Sequence, residues 1–326
     1  MNNAFSSTHR LSVLPPLDTT KKSVAILLAT YNGASFLSQQ LNSIEQQTHT
    51  NWRVYASDDG SSDGTLALLT TYCERWGQDR LRIYQGPQRG HAANFMSLVH
   101  DKHIQADYYA FCDQDDVWLD DKLERSIASI KALGETSPVL YGSRTTLIDF
   151  RGRVLGQSPL FDRMPSLKNA LVQSLVGGNT ILFNNKTRHL ICLIPVHLDI
   201  ITHDWATYLI VMACDGEVYY DEKPTLLYRQ HGENLIGSNN RLIDRFVRLK
   251  WLFKGRFKCY SESNLEILSY LSEVVPKVNA SVIQQFKRMR EAPLLERISL
   301  FKKSGLYRQT RMGTLGLWVA ILIKKI

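Results

Sequence analysis

The sequence holds no apolar run long enough to cross a bilayer. Its longest, residues 315–323, has nine residues, and a spanning helix needs roughly 18–20. An export signal is also missing. Residues 1–22 are polar, carry Pro15 and Pro16 and have no apolar core, so a flexible leader is expected there. Cysteines are few: Cys73, Cys112, Cys192, Cys214 and Cys259, an odd number with no two in a C-x-x-C pair. That spacing supports neither a disulfide framework nor a cysteine zinc site. Internal repeats and low-complexity tracts are lacking as well. These absences predict a cytoplasmic chain with reduced thiols. A hydrophobic fraction of 44% over 326 residues is enough for a packed core and argues against disorder.

Acid is scarce at one end only. The chain carries 39 Lys and Arg against 31 Asp and Glu, a formal charge of +8. Residues 237–326 hold 18 of the bases and 6 of the acids, leaving 21 and 25 for residues 1–236. A slightly acidic body therefore precedes a strongly basic tail. We expect a flexible leader over 1–22, a catalytic domain over 23–236 and a basic helical region over 237–326.

Within the body, short apolar runs alternate with amphipathic stretches. Residues 24–29, 52–57, 81–84 and 108–112 read as strands. Between them, Phe36, Leu37, Leu41 and Ile44, then Leu66, Leu69 and Tyr72, then residues 92–100, recur at helical spacing. This alternation predicts an α/β fold, a mostly parallel sheet with helices on both faces. Further on, residues 140–148, 180–183, 218–220 and 226–228 read as strands and 167–175 as a helix. Ligands of such sheets bind beyond the carboxyl ends of the strands. Polar residues crowd there: Tyr31-Asn32, Asp58-Asp59 and Asp113 to Asp116.

Asp113, Asp115 and Asp116 place three carboxylates within four residues after an apolar strand. Like charges that close repel by several kcal/mol in a low dielectric unless a cation or proton intervenes. A hard divalent cation, Mg²⁺ or Mn²⁺, answers this chemistry. The competing reading makes Asp115 or Asp116 the cap of a helix over 119–133. After the second strand, Ser57-Asp58-Asp59-Gly60-Ser61-Ser62-Asp63-Gly64-Thr65 reads equally as a capped turn or as a carboxylate aimed at a base or ribose.

Taken in order, Ala29-Thr30-Tyr31-Asn32, the Ser57 to Thr65 segment and Asp113-Gln114-Asp115-Asp116-Val117-Trp118 resemble a family 2 glycosyltransferase of the GT-A fold. The resemblance covers residues 23 to about 235, and the Asp-Gln-Asp-Asp-Val-Trp form is similar to bacterial rhamnosyltransferases of surface-polysaccharide assembly. It implies a nucleotide-diphosphate sugar donor, plausibly dTDP-rhamnose, an acceptor hydroxyl on a lipid-linked glycan, and inversion. By position it places Thr30, Tyr31, Asn32 and Asp59 around the nucleoside. Asp113 and Asp115 become the D-x-D pair, with Asp115 the metal ligand of choice. Arg89 and Asn94 fall where the family borders its donor site. Asp204, in His203-Asp204-Trp205, falls at the base position. The family often has Glu-Asp where this chain has His-Asp, which leaves the role of His203 open. Gly177-Gly178-Asn179-Thr180 is similar to the acceptor-side turn. Arg229 is placed to meet phosphate, and His231 to complete the metal or diphosphate shell.

The tail offers a partner signal. Laid on a helix, Leu242, Phe246, Leu249, Phe253 and Phe257 share an arc of about 80°, with Arg241, Arg245, Arg248 and Arg256 beside it. Such a helix suits an anionic membrane surface on the inner face of the cell membrane. It also suits packing on the body with solvated arginines. Lys324 and Lys325 after the apolar run 315–323 add to the membrane reading. No nucleic-acid motif accompanies the basic charge. Two other classes compete with the transferase. One is a metal-dependent nucleotidyltransferase, whose Gly-rich loop and lysine signature are not evident. The other is a binding protein on a degenerate transferase fold.

Overall fold

In the computed structural model, the described residues are Leu14, 16–230 and 255–326. The chain begins with β1 (Val24–Thr30), α1 (Leu37–Glu45), β2 (Trp52–Asp58), α2 (Thr65–Trp76), β3 (Leu81–Gln85), α3 (His91–His100) and β4 (Tyr108–Cys112). Next come β5 (Val117–Trp118), α4 (Lys122–Leu133), β6 (Val139–Ser143), β7 (Thr146–Asp149), β8 (Val154–Gln157) and α5 (Leu167–Ala170). A 3-10 turn at Gly178–Thr180 leads into β9 (Leu182–Asn184), α6 (Asn185–Ile191), α7 (His203–Ala213), β10 (Glu217–Asp221) and β11 (Leu226–Gln230). The tail supplies α8 (Arg256–Tyr270), α9 (Lys277–Glu291), α10 (Leu294–Ser304) and α11 (Arg311–Leu322).

Seven strands form one sheet in the order β10-β6-β9-β4-β1-β2-β3. All its neighbours run parallel except β9, which is antiparallel to both β4 and β6. β1 lies inside this sheet and reads as a continuous apolar run because both its faces are covered. Its side chains alternate between two core layers. Ala25 and Leu27 join one, Val24, Ile26 and Leu28 the other. A smaller sheet, β5-β11-β7-β8, sits beside the acidic segment.

Strand and helix positions in the first half agree with the sequence reading to within a few residues. The differences lie where the chain changes sheets. The strand expected over 140–148 is two strands, because the chain leaves the large sheet after β6 and pairs in the small one as β7. The helix expected over 167–175 is the single turn α5, started by Ser166, whose hydroxyl accepts the Asn169 N–H. Neither Asp115 nor Asp116 caps α4. Val117 and Trp118 pair as β5 with β11 instead, and α4 starts after Asp121, whose side chain makes no cap bond.

The described tail is helical and packs on the body. Leu265, Leu268, Phe286, Met289, Phe301 and Ile321 share a core layer with Trp205 and Tyr208 of α7. Among the described residues, no helix is long and apolar enough to cross a membrane. Residues 241–254 of the expected amphipathic helix lie outside the described residues.

Candidate active site

β1 pairs in parallel with both β2 and β4, with Thr30 opposite Asp58 and Leu28 opposite Cys112. The loops after these strands therefore leave the sheet along one edge. Thr30 is buried, and its hydroxyl donates to Asp58 Oδ2 at 2.8 Å. Asp58 also accepts the backbone N–H groups of Gly60 (3.2 Å) and Ser61 (2.8 Å) and the Ser61 hydroxyl (2.6 Å). It anchors the turn, and Gly60 takes the positive φ of 96° that the turn requires. Asp59 points the other way. Its Oδ1 accepts the Gln88 N–H at 2.6 Å and its Oδ2 the Gly90 N–H at 2.9 Å, tying β2 to the loop before α3.

Tyr31 exposes its ring at this edge, 58% accessible. Asn32, at a φ of 48°, donates its N–H to the Ser61 hydroxyl, and its Oδ1 accepts from the Ser62 N–H. Asn94 is buried beneath the edge, its amide donating to the Ser57 carbonyl, and its Oδ1 has no partner. Arg89 pairs with the carboxylate of Asp199 and donates to the His197 carbonyl at 3.2 Å, bridging to the loop before α7.

The acidic segment follows β4. Burial pushes the Asp113 carboxyl up to about 7, and the nearby charges of Asp115 and Asp204 add to the effect. Asp204 lies in the first turn of α7, where its Oδ1 accepts the Trp205 N–H at 2.8 Å. Burial pushes it up to about 6, against the pull of that hydrogen bond. The structure thus brings Asp113, Asp115 and Asp204, from two separate elements, into one electrostatic cluster at the carboxyl edge of the sheet.

Asp116 turns inward. It is fully buried, its Oδ2 accepting from the Asn179 amide at 2.6 Å and its Oδ1 from the Arg229 N–H at 3.1 Å. Burial together with Asp115 and Asp113 raises its pKa far above the usual range. Asp113 and Asp115 supply oxygen donors suited to a hard cation, and the strain of their shared charge is what such an ion relieves. Among the described residues, no three His, Cys, Asp or Glu side chains form a metal cage. The remaining ligands of any ion there would come from outside this set.

Comparison with known proteins gives the family and the fold. The family model for glycosyl transferase family 2 matches residues 25–184. A dTDP-rhamnosyl transferase of Shigella flexneri, RfbG, is 30% identical over 247 residues, which are 70% of this chain and 81% of that enzyme. The chain belongs to glycosyltransferase family 2. A second relative, the UDP-Glc:alpha-D-GlcNAc-diphosphoundecaprenol beta-1,3-glucosyltransferase WfgD of Escherichia coli, is 28% identical over 37% of this chain and 45% of its own. Among solved structures, S. aureus TarS 1–349 in complex with UDP-GlcNAc superposes with a TM-score of 0.55 at 14% identity, over 93% of this chain and 89% of that one. The shared fold is GT-A.

Arg229 of this glycosyltransferase does not stand where the phosphate expectation put it. It is 1% exposed. Its Nε donates to the Asp115 carbonyl at 2.9 Å, Nη2 to Gln39 Oε1 at 2.6 Å, and Nη1 to the carbonyls of Asp149 and Phe150 at 3.4 and 3.3 Å. The guanidinium also stacks over Phe36 at 4.6 Å. A buried arginine must spend its fork on protein oxygens, and here it fixes the backbone of the acidic segment from behind. His231 lies outside the described residues.

Gln114 and Lys122 escape sequence reasoning, and His203, noted there, has no role assigned. Gln114, between two of the acids, clamps Tyr31 through its side-chain amide. Lys122 is buried under the acidic segment, its ammonium donating to the carbonyls of Asn179 and Thr180 at 3.1 and 3.3 Å. On a helix pattern it reads as one more surface charge. His203 is buried with both ring nitrogens unpartnered. It stacks on Phe95 at 4.2 Å and meets Phe111 edge-on at 4.7 Å, and burial pushes its pKa well below the usual value, keeping the ring neutral.

Proposed function

We propose that the chain transfers a hexosyl group, rhamnosyl, from a nucleotide-diphosphate sugar to a hydroxyl of a lipid-linked glycan in surface-polysaccharide synthesis, with inversion. The observation that carries this reading is the approach of Asp204 to Asp113 at the edge where β1, β2 and β4 end. Inversion by direct displacement needs one base to take the proton of the acceptor hydroxyl as it attacks the anomeric carbon on the face opposite the diphosphate leaving group. Asp204 is a carboxyl tuned to about 6, so at neutral pH it is charged and poised to take the acceptor proton. Asp113 and Asp115 would hold Mg²⁺ or Mn²⁺. When bound, such an ion neutralises the charge that develops on the diphosphate leaving group. Asp59 and the exposed ring of Tyr31 flank the space for the nucleoside, while Thr30 and Asn32 set its floor and turn. Arg229 holds the acidic segment in register through the Asp115 carbonyl.

Rhamnose as the sugar and a diphosphate-linked lipid as the acceptor are supported by the similarity to the Shigella and Escherichia enzymes. The basic tail supports action at a membrane surface. The test is a panel of nucleotide sugars, with Mg²⁺ or Mn²⁺, read by mass spectrometry for transfer or donor hydrolysis. Turnover of dTDP-rhamnose, lost in Asp115→Ala and Asp204→Ala, is the expected result. No turnover of any donor sinks the proposal. Pyrophosphate release from a nucleoside triphosphate and a sugar phosphate would replace it with the nucleotidyltransferase reading.

A further inference from the structure

The last helix carries an outward face that the core does not use. On α11, Leu317, Ala320 and Ile321 are buried, and Trp318 meets Phe301 edge-on at 4.5 Å. The helix is fixed at both ends. The Thr310 hydroxyl accepts the Gly313 N–H at 3.0 Å. The buried Arg297 donates to the Ile321 carbonyl at 2.9 Å, and Arg290 to the Ile326 carbonyl at 3.0 Å. Opposite that anchored face stand Met312, 68% exposed, Leu315, Leu322 and, just past the helix, Ile323. At 100° per residue these four positions fall within one arc of about 100°, an apolar stripe. Twelve residues of helix span about 18 Å, a length for lying on a bilayer and not for crossing it.

Charged groups lie at the start of this stripe and elsewhere on the tail. Beside its start, a cavity of 510 Å³ is lined by Asp162, Arg163, Gln309, Arg311 and Thr314, two cations against one anion. The Arg163 guanidinium is held flat over the Tyr307 ring at 3.7 Å and donates to the Arg308 carbonyl at 3.2 Å. Met164, the next residue in the chain, is exposed like Met312. Lys168 approaches the Gly305 turn, and exposed Lys302, Lys303 and Lys324 follow along α10 and α11. Apolar side chains projecting between basic ones complement an anionic lipid surface: the stripe enters the acyl boundary and the cations meet headgroup phosphates.

A chain of contacts links the cavity to α7, which carries Asp204 in its first turn. Asp204 and Tyr208 are one turn apart on α7, about 6 Å along its axis. The Tyr208 hydroxyl accepts the Ser166 N–H at 3.3 Å, and the Ser166 hydroxyl bonds Tyr307 at 2.9 Å.

We infer that this face seats the enzyme on an anionic phospholipid bilayer, with Met312, Leu315, Leu322 and Ile323 inserted and a headgroup phosphate taken between Arg163 and Arg311. It deepens the membrane part of the proposed function by naming the surface, and its geometry is independent of which sugar is moved.

The test is co-sedimentation of the full chain with vesicles of phosphatidylglycerol and phosphatidylcholine, against phosphatidylcholine alone. Wild type is expected to bind the anionic vesicles at least tenfold more tightly than the neutral ones. Met312→Glu/Leu315→Glu and Arg163→Glu/Arg311→Glu should each weaken that binding about tenfold. All four positions are exposed and lie outside the proposed site, so donor hydrolysis without vesicles should be unchanged. The melt should be unchanged for Met312→Glu/Leu315→Glu and fall by a few degrees for Arg163→Glu/Arg311→Glu, which loses the Arg163 contacts to Tyr307 and Arg308. Wild type that ignores anionic vesicles overturns the inference. Anionic binding that both double variants retain overturns this face while leaving a membrane role for another part of the tail. Release of wild type by inorganic pyrophosphate at constant ionic strength makes the cavity a site for a soluble phosphate and overturns the bilayer assignment. Donor hydrolysis in the same samples reports the transfer reaction separately, so failure of either reading is visible by itself.

Discussion

The side-chain amide of Gln114 and the backbone of Tyr31 exchange two hydrogen bonds, Nε2 to the Tyr31 carbonyl and the Tyr31 N–H to Oε1, each 2.9 Å long. This pair joins the acidic segment after β4 to the loop after β1, across the edge where donor and cation would meet. Gly33 leaves room for it: a Cβ there would lie 2.1 Å from Gln114 Oε1.

Replacing Gln114 by Leu should remove both bonds and leave the Tyr31 groups to solvent. The expected stability loss is about 1–2 kcal/mol, since each such bond contributes roughly 1 kcal/mol net. The loops should drift apart, so donor KM should rise more than kcat falls. Urea denaturation and steady-state kinetics check both. An unchanged KM would show that the loops are held in place without the clamp.

Much of this was legible in the sequence, for physical reasons. β1, β2 and β4 are buried on both faces and so announce themselves as apolar runs, and strand-end acids stand out against them. The order of those acids was enough to suggest the family and to single out Asp113, Asp115 and Asp204. What stayed hidden depends on side-chain direction. Asp58 and Asp59 are adjacent and chemically alike, yet one turns in to hold Ser61 and the other holds the loop before α3. In the sequence Arg229 reads as a phosphate ligand because a guanidinium fork matches phosphate oxygens and the segment holding it closes the domain. Its burial comes from β11 lying beneath the acidic segment in a second sheet, a non-local fact that no local pattern carries.

Lys122 offers a test through pH. Burial pulls its pKa down to about 7 from 10.5. The folded value lies below the unfolded one, so between about 7 and 10.5 the unfolded chain binds the extra proton and stability rises with pH. Relative to Lys122→Met, wild type should gain about 1 kcal/mol per pH unit across that window. At neutral pH the variant should itself cost about 1–3 kcal/mol, because the Asn179 and Thr180 carbonyls lose their donor. Urea denaturation of both proteins at several pH values checks this. Parallel pH profiles for the two proteins would place the amine in solvent.

With Asp204 as the proposed base, Asp204→Asn should lower kcat by about 10²–10⁴ with little change in donor KM, because such a base acts on the acceptor and not on donor binding. The carboxyl titrates at about 6, and only its charged form accepts a proton. The wild-type rate should therefore fall as pH drops through about 6 and level off above it. In the variant the residual rate should lose that limb. A variant that keeps the limb would assign the titration to another group.

Gly178→Ala tests how the Gly177–Thr180 turn is coupled to the proposed base, Asp204. A Cβ at Gly178 would lie 2.4 Å from His203 Nε2 and 3.0 Å from its Cε1. The ring has no space to retreat, with Phe95 stacked on it, Phe111 edge-on and His91 at 5.8 Å. Either the turn or the start of α7 must shift, and Asp204 is the next residue on α7. We expect Gly178→Ala to cut kcat while leaving donor KM close to wild type. His203→Ala opens the space the new methyl needs, so Gly178→Ala/His203→Ala should recover rate relative to Gly178→Ala alone. A coupling energy above about 1 kcal/mol in this double-mutant cycle marks direct contact. Simple additivity of the two changes would show that the turn meets the base by some other route.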